Sequence, residues 1–244
     1  MSSFVAETSR RLPRGWAHLA FQFVIWIGFY VVYQIARGAA DRSVAAAFHN
    51  GESVLRTERH FGALFEPAVQ RVVDTSTIMV TLTSYTYWLS QFAVVGATLL
   101  WVYFRHQERF AGFRNWLIAA NLVGLVGYVL MPTAPPRYLQ YWGFVDTAVH
   151  SGSYYVFQSP SFVNEYAAMP SLHAMDALIV GIVMFGLVRS RLAKALWLMW
   201  PVWVGFAVIS TGNHYWLDVV AGFAIALATG LALRQWNALR LRRA

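Results

Sequence analysis

The sequence has no cysteine and a single lysine, Lys194, and only 12% of its residues are charged. Without thiols there is no disulfide framework, no thiolate nucleophile and no cysteine-built metal site, and the redox compartment is left open. So little charge excludes an ordinary water-soluble domain, whose surface needs about twice that share. Internal repeats and low-complexity tracts are also missing, so neither a solenoid nor a disordered linker is expected. Apolar residues fill the chain instead: 58% of the 244 residues are hydrophobic and 16% aromatic, with a mean hydropathy of +0.46. That balance describes an integral membrane protein. The net charge of +8 does not point to nucleic acid, because the basic residues stand in short clusters between apolar stretches rather than along one polar face.

A membrane-spanning helix needs about 20 mostly apolar residues, since hydrocarbon leaves backbone groups no partner outside the helix. Six stretches meet the requirement: Trp16 to Ile35, Met79 to Phe104, Phe113 to Met131, Leu172 to Val188, Ala195 to Thr211 and Tyr215 to Leu233. The fourth and fifth are short. The expected fold is an all-α membrane protein, a six-transmembrane-helix bundle with outer interfacial helices, forming a single membrane domain over residues 1–244. The first stretch is about twice the length of a typical signal core and lacks a small-residue exit, so it is read as a retained span. Arg10, Arg11, Arg14, Arg105, Arg109, Arg114, Arg189, Arg191, Lys194, Arg234, Arg240, Arg242 and Arg243 all fall on one side of a six-span arrangement. By the positive-inside rule that side is cytoplasmic, as are both termini. The predominance of arginine over lysine suggests a GC-rich genome and, with it, a bacterial plasma membrane.

Residues 40–75 are too polar to cross, yet Phe48, Leu55, Phe61, Phe65, Val69 and Val72 recur at helical spacings. They predict two interfacial helices, broken at Asn50-Gly51 and lying on the outer surface. These helices either form a plain collar or wall a lipid entrance, with Glu58 or Arg59 touching a head group. Residues 132–170 form a long outer loop rich in aromatics, including Tyr138, Trp142, Phe144, Tyr154, Tyr155, Phe157 and Phe162. Such a loop suits a lid at head-group level.

Two histidines stand at the outer starts of apolar spans: His173 in Ala-Met-Pro-Ser-Leu-His-Ala and His214 in Thr-Gly-Asn-His-Tyr-Trp-Leu-Asp. Pro170 and Ser171 mark one helix start, Gly212 and Asn213 the other, with Asn213 the expected N-cap. Paired helix N-termini offer free N–H groups and partial positive charge to an anion such as phosphate. Asp218 lies four residues after His214, on the same helical face; by holding Nδ1–H it would leave Nε2 as a nucleophile. Ser171 and Asn213 each either donate to the phosphate or cap a helix. Asp176 either orients His173 or is hydrogen-bonded within the bundle, and Asn121 is read as helix glue.

Pro-Ser-Leu-His at 170–173 and His-Tyr-Trp-Leu-Asp at 214–218, with Pro-Thr-Ala-Pro-Pro-Arg at 132–137 upstream, resemble the three signature blocks of the type-2 phosphatidic acid phosphatase superfamily. They are most similar to its inositol phosphorylceramide synthase branch. The likeness is close over the second half of the chain. It implies metal-independent transfer through a phosphohistidine, with no cofactor: His214 as nucleophile, Asp218 orienting it, His173 as general acid and base, and Arg137 on the phosphoryl oxygens. The sequence departs from the pattern where many members carry an arginine six residues before the nucleophile; here that position is Val208.

The expected activity is that of a lipid phosphatase or phosphotransferase at the outer membrane face, acting on a lipid phosphate or phospholipid. Water as acceptor gives a hydrolase; an alcohol gives a head-group transferase, moving a group such as phosphoinositol. Two other classes stay open, a redox protein with haem held between the two histidines and a non-catalytic lipid carrier. Nothing in the sequence fixes the oligomeric state.

Overall fold

The computed structural model describes residues 14–40, 44–146 and 166–243. Its helices run α1 (Gly15–Ala40), α2 (Val44–His60), α3 (Glu66–Asp74), α4 (Thr77–Leu89), a π-helical turn (Ser90–Val94), α5 (Val95–Arg105), α6 (Gln107–Leu130), two short 3-10 turns (Pro136–Tyr138 and Gln140–Trp142), α7 (Leu172–Leu187), α8 (Arg191–Ser210) and α9 (Trp216–Arg243). Among the described residues the extended pairing is limited to one isolated bridge, Thr133 to Ala167. The chain is an all-α, multi-pass membrane protein.

Among the described residues, five helical stretches are long and apolar enough to span a bilayer: Gly15–Tyr33, Thr77–Arg105 (α4 through α5), Gln107–Leu130, Arg191–Ser210 and Trp216–Leu241. Large apolar side chains such as Phe21, Ile27, Leu130 and Leu196 point outward on them, as hydrocarbon contact requires. The remaining apolar helix, α7, has 16 residues, which the expected span Leu172 to Val188 overstates by one. It packs against α5, α6, α8 and α9, and Met175, Ile179 and Val180 are fully buried. Its first half is walled by protein, while Ile182 and Phe185 nearer its end are exposed. Close approach at its start depends on missing side chains: an added Cβ at Gly222 of α9 would sit 2.4 Å from the Ser171 carbonyl oxygen, and one at Gly127 of α6 2.8 Å from Pro170.

The interfacial region forms two helices, but the break falls between His60 and Glu66 and not at Asn50-Gly51. Helix α2 continues through that pair because both residues are used in packing. Asn50 Nδ2 donates to the Pro132 carbonyl at 2.8 Å, and Gly51 lies so close to the Ala134 carbonyl and the Tyr215 hydroxyl that a Cβ would be 2.9 Å from each. The expected apolar stripe is also turned around on α3: Phe65 and Val72 are exposed while Glu66 and Gln70 are fully buried. Polar side chains face inward there because buried backbone groups of other segments need partners. Gln70 donates to the Val145 carbonyl and accepts from the Val145 N–H.

Of the aromatic loop, Phe144 is buried and Tyr138 stacks on Phe48. Tyr154, Tyr155, Phe157 and Phe162, the other aromatics of the expected lid, lie outside the described residues.

Candidate functional site

Three separate segments, Pro132–Arg137, Ala168–His173 and Gly212–Asp218, are stitched together by backbone hydrogen bonds. Thr133 N donates to Tyr166 O (2.8 Å), Ala168 N to Thr133 O (3.0 Å), Arg137 N to Gly212 O (2.9 Å) and Ser171 N to Asp218 O (3.0 Å). Gly212 adopts φ +68°, a conformation that favours glycine, and a Cβ there would meet Gln70 at 2.5 Å. The turn can therefore press between Arg137 and α3.

This framework brings the two histidines side by side. Their ring centroids are 5.7 Å apart at an interplanar angle of 59°. His173 also stacks on Tyr87 of α4, 4.2 Å between centroids, which fixes its ring plane. His214 is 3% exposed and its Nδ1 has two partners, the Ala168 carbonyl at 2.7 Å and Asp218 Oδ2 at 3.3 Å. Both favour a proton on Nδ1 and a lone pair on Nε2. The backbone carbonyl is the closer partner, so the expected orienting role of Asp218 is shared. Asp218 Oδ2 also accepts from Tyr215 N at 2.9 Å.

His214 does not lie in the first turn of a helix, contrary to the sequence expectation, because α9 begins at Trp216. Gly212 and Asn213 instead close the end of α8: the N–H groups of Asn213 and His214 both donate to the Val208 carbonyl, at 3.2 and 3.1 Å. Asn213 is thus not the N-cap of α9. Its Oδ1 accepts from Arg137 Nη1 and its Nδ2 donates to Thr211 Oγ1 at 2.8 Å, which holds the guanidinium beside the histidine turn. Arg137 is 4% exposed and its guanidinium lies over the Tyr138 ring at 4.8 Å.

The start of α9 is not an open anion site either. Trp216 N donates to Glu66 Oε1 and Leu217 N to Glu58 Oε1, both at 3.1 Å. Two fully buried carboxyl groups, from α2 and α3, cap this helix from outside. The second oxygen of each finds no other donor among the described residues, and the two side chains hydrogen-bond each other. Two carboxylates are acceptors only, so one proton must lie between them. Burial first, then the charge of Glu66, push the Glu58 carboxyl up to about 9. Glu58 is therefore a helix cap, not a head-group contact. Arg59, the other interfacial candidate, is exposed and lies over the Trp142 ring at 5.1 Å.

Ser171 caps α7, its Oγ accepting from Ala174 N at 3.3 Å. Asp176 does not orient His173: it accepts from Asn121 Nδ2 at 2.7 Å and bonds Gln91 of the π-helical turn. Asn121 joins α6 to α7 as expected. Val208, where a family arginine is often found, is fully buried in an apolar cluster with Ala174, Val204 and Val219. Sequence reasoning missed Glu66, Tyr87 and the Ala168 carbonyl. No periodicity marks any of them, since each acts on a residue from a remote segment.

Comparison with known proteins fits this geometry. Over 151 residues the chain is 28% identical to phosphoinositol dihydroceramide synthase of Bacteroides thetaiotaomicron, an alignment covering 52% of this chain and 47% of that protein. The chain thus matches about half the length of this curated relative. No solved structure matches. The model of the PAP2 superfamily matches residues 52–232, from α2 into the last turns of α9 and so through all three stitched segments, and the chain belongs to that superfamily.

Proposed function

We propose that this protein is a membrane-embedded phosphotransferase acting on a phospholipid through a covalent histidine intermediate. The observation that carries the reading is the pair of imidazoles with centroids 5.7 Å apart, one with its Nδ1 held by a carbonyl and a carboxylate. A phosphorus atom placed between them meets a nucleophile on one side and a proton donor on the other, the in-line arrangement phosphoryl transfer needs.

His214 Nε2 attacks phosphorus; the N–P bond forms as the bond to the leaving oxygen breaks, and His173 gives that oxygen its proton. The acceptor hydroxyl then loses its proton to His173, its oxygen attacks phosphorus, and the N–P bond breaks. Arg137, held by Asn213, stabilises the non-bridging oxygens. Asp218 and the Ala168 carbonyl keep the His214 proton on Nδ1, and Ser171 and Asn213 act as positioning groups.

The name of the Bacteroides relative favours transfer of a phosphoinositol head group to a ceramide-like alcohol over hydrolysis. With α7 counted as a span, the chain crosses six times, places both termini in the cytoplasm by its arginine distribution, and opens the site to the outer face of the plasma membrane as one membrane domain.

The test is purified protein in phosphatidylinositol-containing nanodiscs, with and without ceramide or diacylglycerol. Acceptor-dependent formation of an inositol-phosphate lipid supports transfer. Release of free phosphate from lipid phosphates without an acceptor selects the hydrolase. Activity that survives His214→Ala refutes the mechanism.

A further inference from the structure

The end of the bundle opposite the histidines holds a cavity of about 510 Å³ between α6, α7 and α9. Gly186, on its α7 wall, lies 13 residues beyond His173, about 20 Å along the helix axis, so the cavity faces the other leaflet and is separate from the candidate active site. Its size falls in the range of built ligand pockets.

The walls are apolar side chains of the three helices, while one end carries Arg109 of α6 with Arg234 and Asn237 of α9. Neither guanidinium makes a hydrogen bond or ion pair to a described residue. The neighbouring acid, Glu108, is directed toward His106 instead, at 3.9 Å. Two cations lining one cavity with no carboxylate between them repel each other, and an anion relieves that repulsion. The cavity is also structurally defined. Trp116 Nε1 donates to the Ala226 carbonyl at 2.8 Å, and its indole lies against Gly230, where a Cβ would be 2.6 Å away. The space itself exists because two lining positions have no side chain: a Cβ at Gly112 or Gly186 meets nothing within 4 Å.

We propose that this cavity binds one anionic phospholipid of the leaflet opposite the active site, its acyl chain lying between α6, α7 and α9 and its phosphate held by Arg109 and Arg234. An apolar slot ending in guanidinium groups without a carboxylate partner matches an acyl chain ending in a phosphate; a zwitterionic lipid adds a cation that the arginines repel, and a neutral lipid brings no anion.

The experiment places the full chain in phosphatidylcholine nanodiscs with or without phosphatidylglycerol, and reads retained lipid by native mass spectrometry and thermal melting. The wild type is expected to retain phosphatidylglycerol in preference to phosphatidylcholine and to melt higher when it is present. At about 1 kcal/mol per arginine, Arg109→Gln with Arg234→Gln lowers the preference about thirtyfold. Gly186→Leu fills the slot without a clash and removes retention while leaving the fold's melting in phosphatidylcholine unchanged. Arg189→Gln with Arg191→Gln, on the same membrane face outside the cavity, leaves the preference intact. Equal loss in that control, or a wild type that retains both lipids alike, overturns the proposal, as does undiminished preference in the cavity variants. None of these readouts depends on catalytic activity.

Discussion

Replacing Glu58 tests the most consequential feature that the sequence did not announce, the shared-proton cap on α9. Glu58→Ala removes the acceptor for Leu217 N–H and leaves the inner oxygen of Glu66 facing an empty space. Removing this cap orphans a buried donor, which costs about 1–3 kcal/mol. At ~2–4 °C per kcal/mol for a chain of this size, melting should fall by about 2–12 °C. Glu58→Gln behaves differently, because the amide oxygen still accepts from Leu217 and the amide N–H₂ replaces the shared proton toward Glu66. It should melt within a few degrees of wild type. The pH dependence separates the cap from simple packing. A carboxyl raised from 4.5 to about 9 in the folded chain means the native state binds the extra proton across that interval, so stability is highest below about 4.5 and declines as pH rises toward 9. The slope is at most ~1.4 kcal/mol per pH unit for one proton. The amide in Glu58→Gln cannot ionise, so the variant should lose that slope. The assay is a series of melting curves in detergent from about pH 5 to about pH 9, the interval over which the proton is bound only in the folded chain. If Glu58→Gln melts as low as Glu58→Ala, or keeps the wild-type pH slope, the shared proton is wrong.

The remaining predictions concern the site and its packing. His214→Ala should abolish transfer to the level of the no-enzyme control, whereas His173→Ala should slow it mainly for donors whose leaving oxygen needs a proton; head-group transfer kinetics with donors of graded leaving-group pKa distinguish the two. Arg137→Lys keeps the charge but loses the Nη1 donation to Asn213 Oδ1, and a drop of about 10²–10³ in kcat with a smaller change in KM is expected for loss of a donor to developing negative charge. Asn213→Ala should reproduce part of that loss by freeing the guanidinium, and an effect confined to KM would argue against this placement. Gly222→Ala drives a methyl to 2.4 Å from the Ser171 carbonyl oxygen; overpacking of this kind costs about 1–3 kcal/mol, seen as lowered melting and lost activity together.

How much was legible in the sequence varied with the range of the interaction. The membrane class and the positions of five expected spans follow from local apolar length, since hydrocarbon imposes its demand on each helix separately. The Pro-Ser-Leu-His and His-Tyr-Trp-Leu-Asp blocks were legible as family signatures because they are short and contiguous, and His214 with Asp218 are near neighbours along the chain. What tertiary structure decided was how buried polar groups are satisfied. The partners of Trp216 and Leu217 N–H are Glu66 and Glu58, 150 and 159 positions away; the closer partner of His214 Nδ1 is a carbonyl 46 positions back; and Asn213, read as a cap, holds Arg137 across 76 positions. Periodicity reports which face of a helix is apolar, and on α3 it gave the wrong inward face, because Glu66 and Gln70 are drawn inside by backbone groups that no local pattern reveals. A buried N–H or C=O must be paired wherever the fold places it, and that requirement is met between segments, so it is written only in the assembled protein.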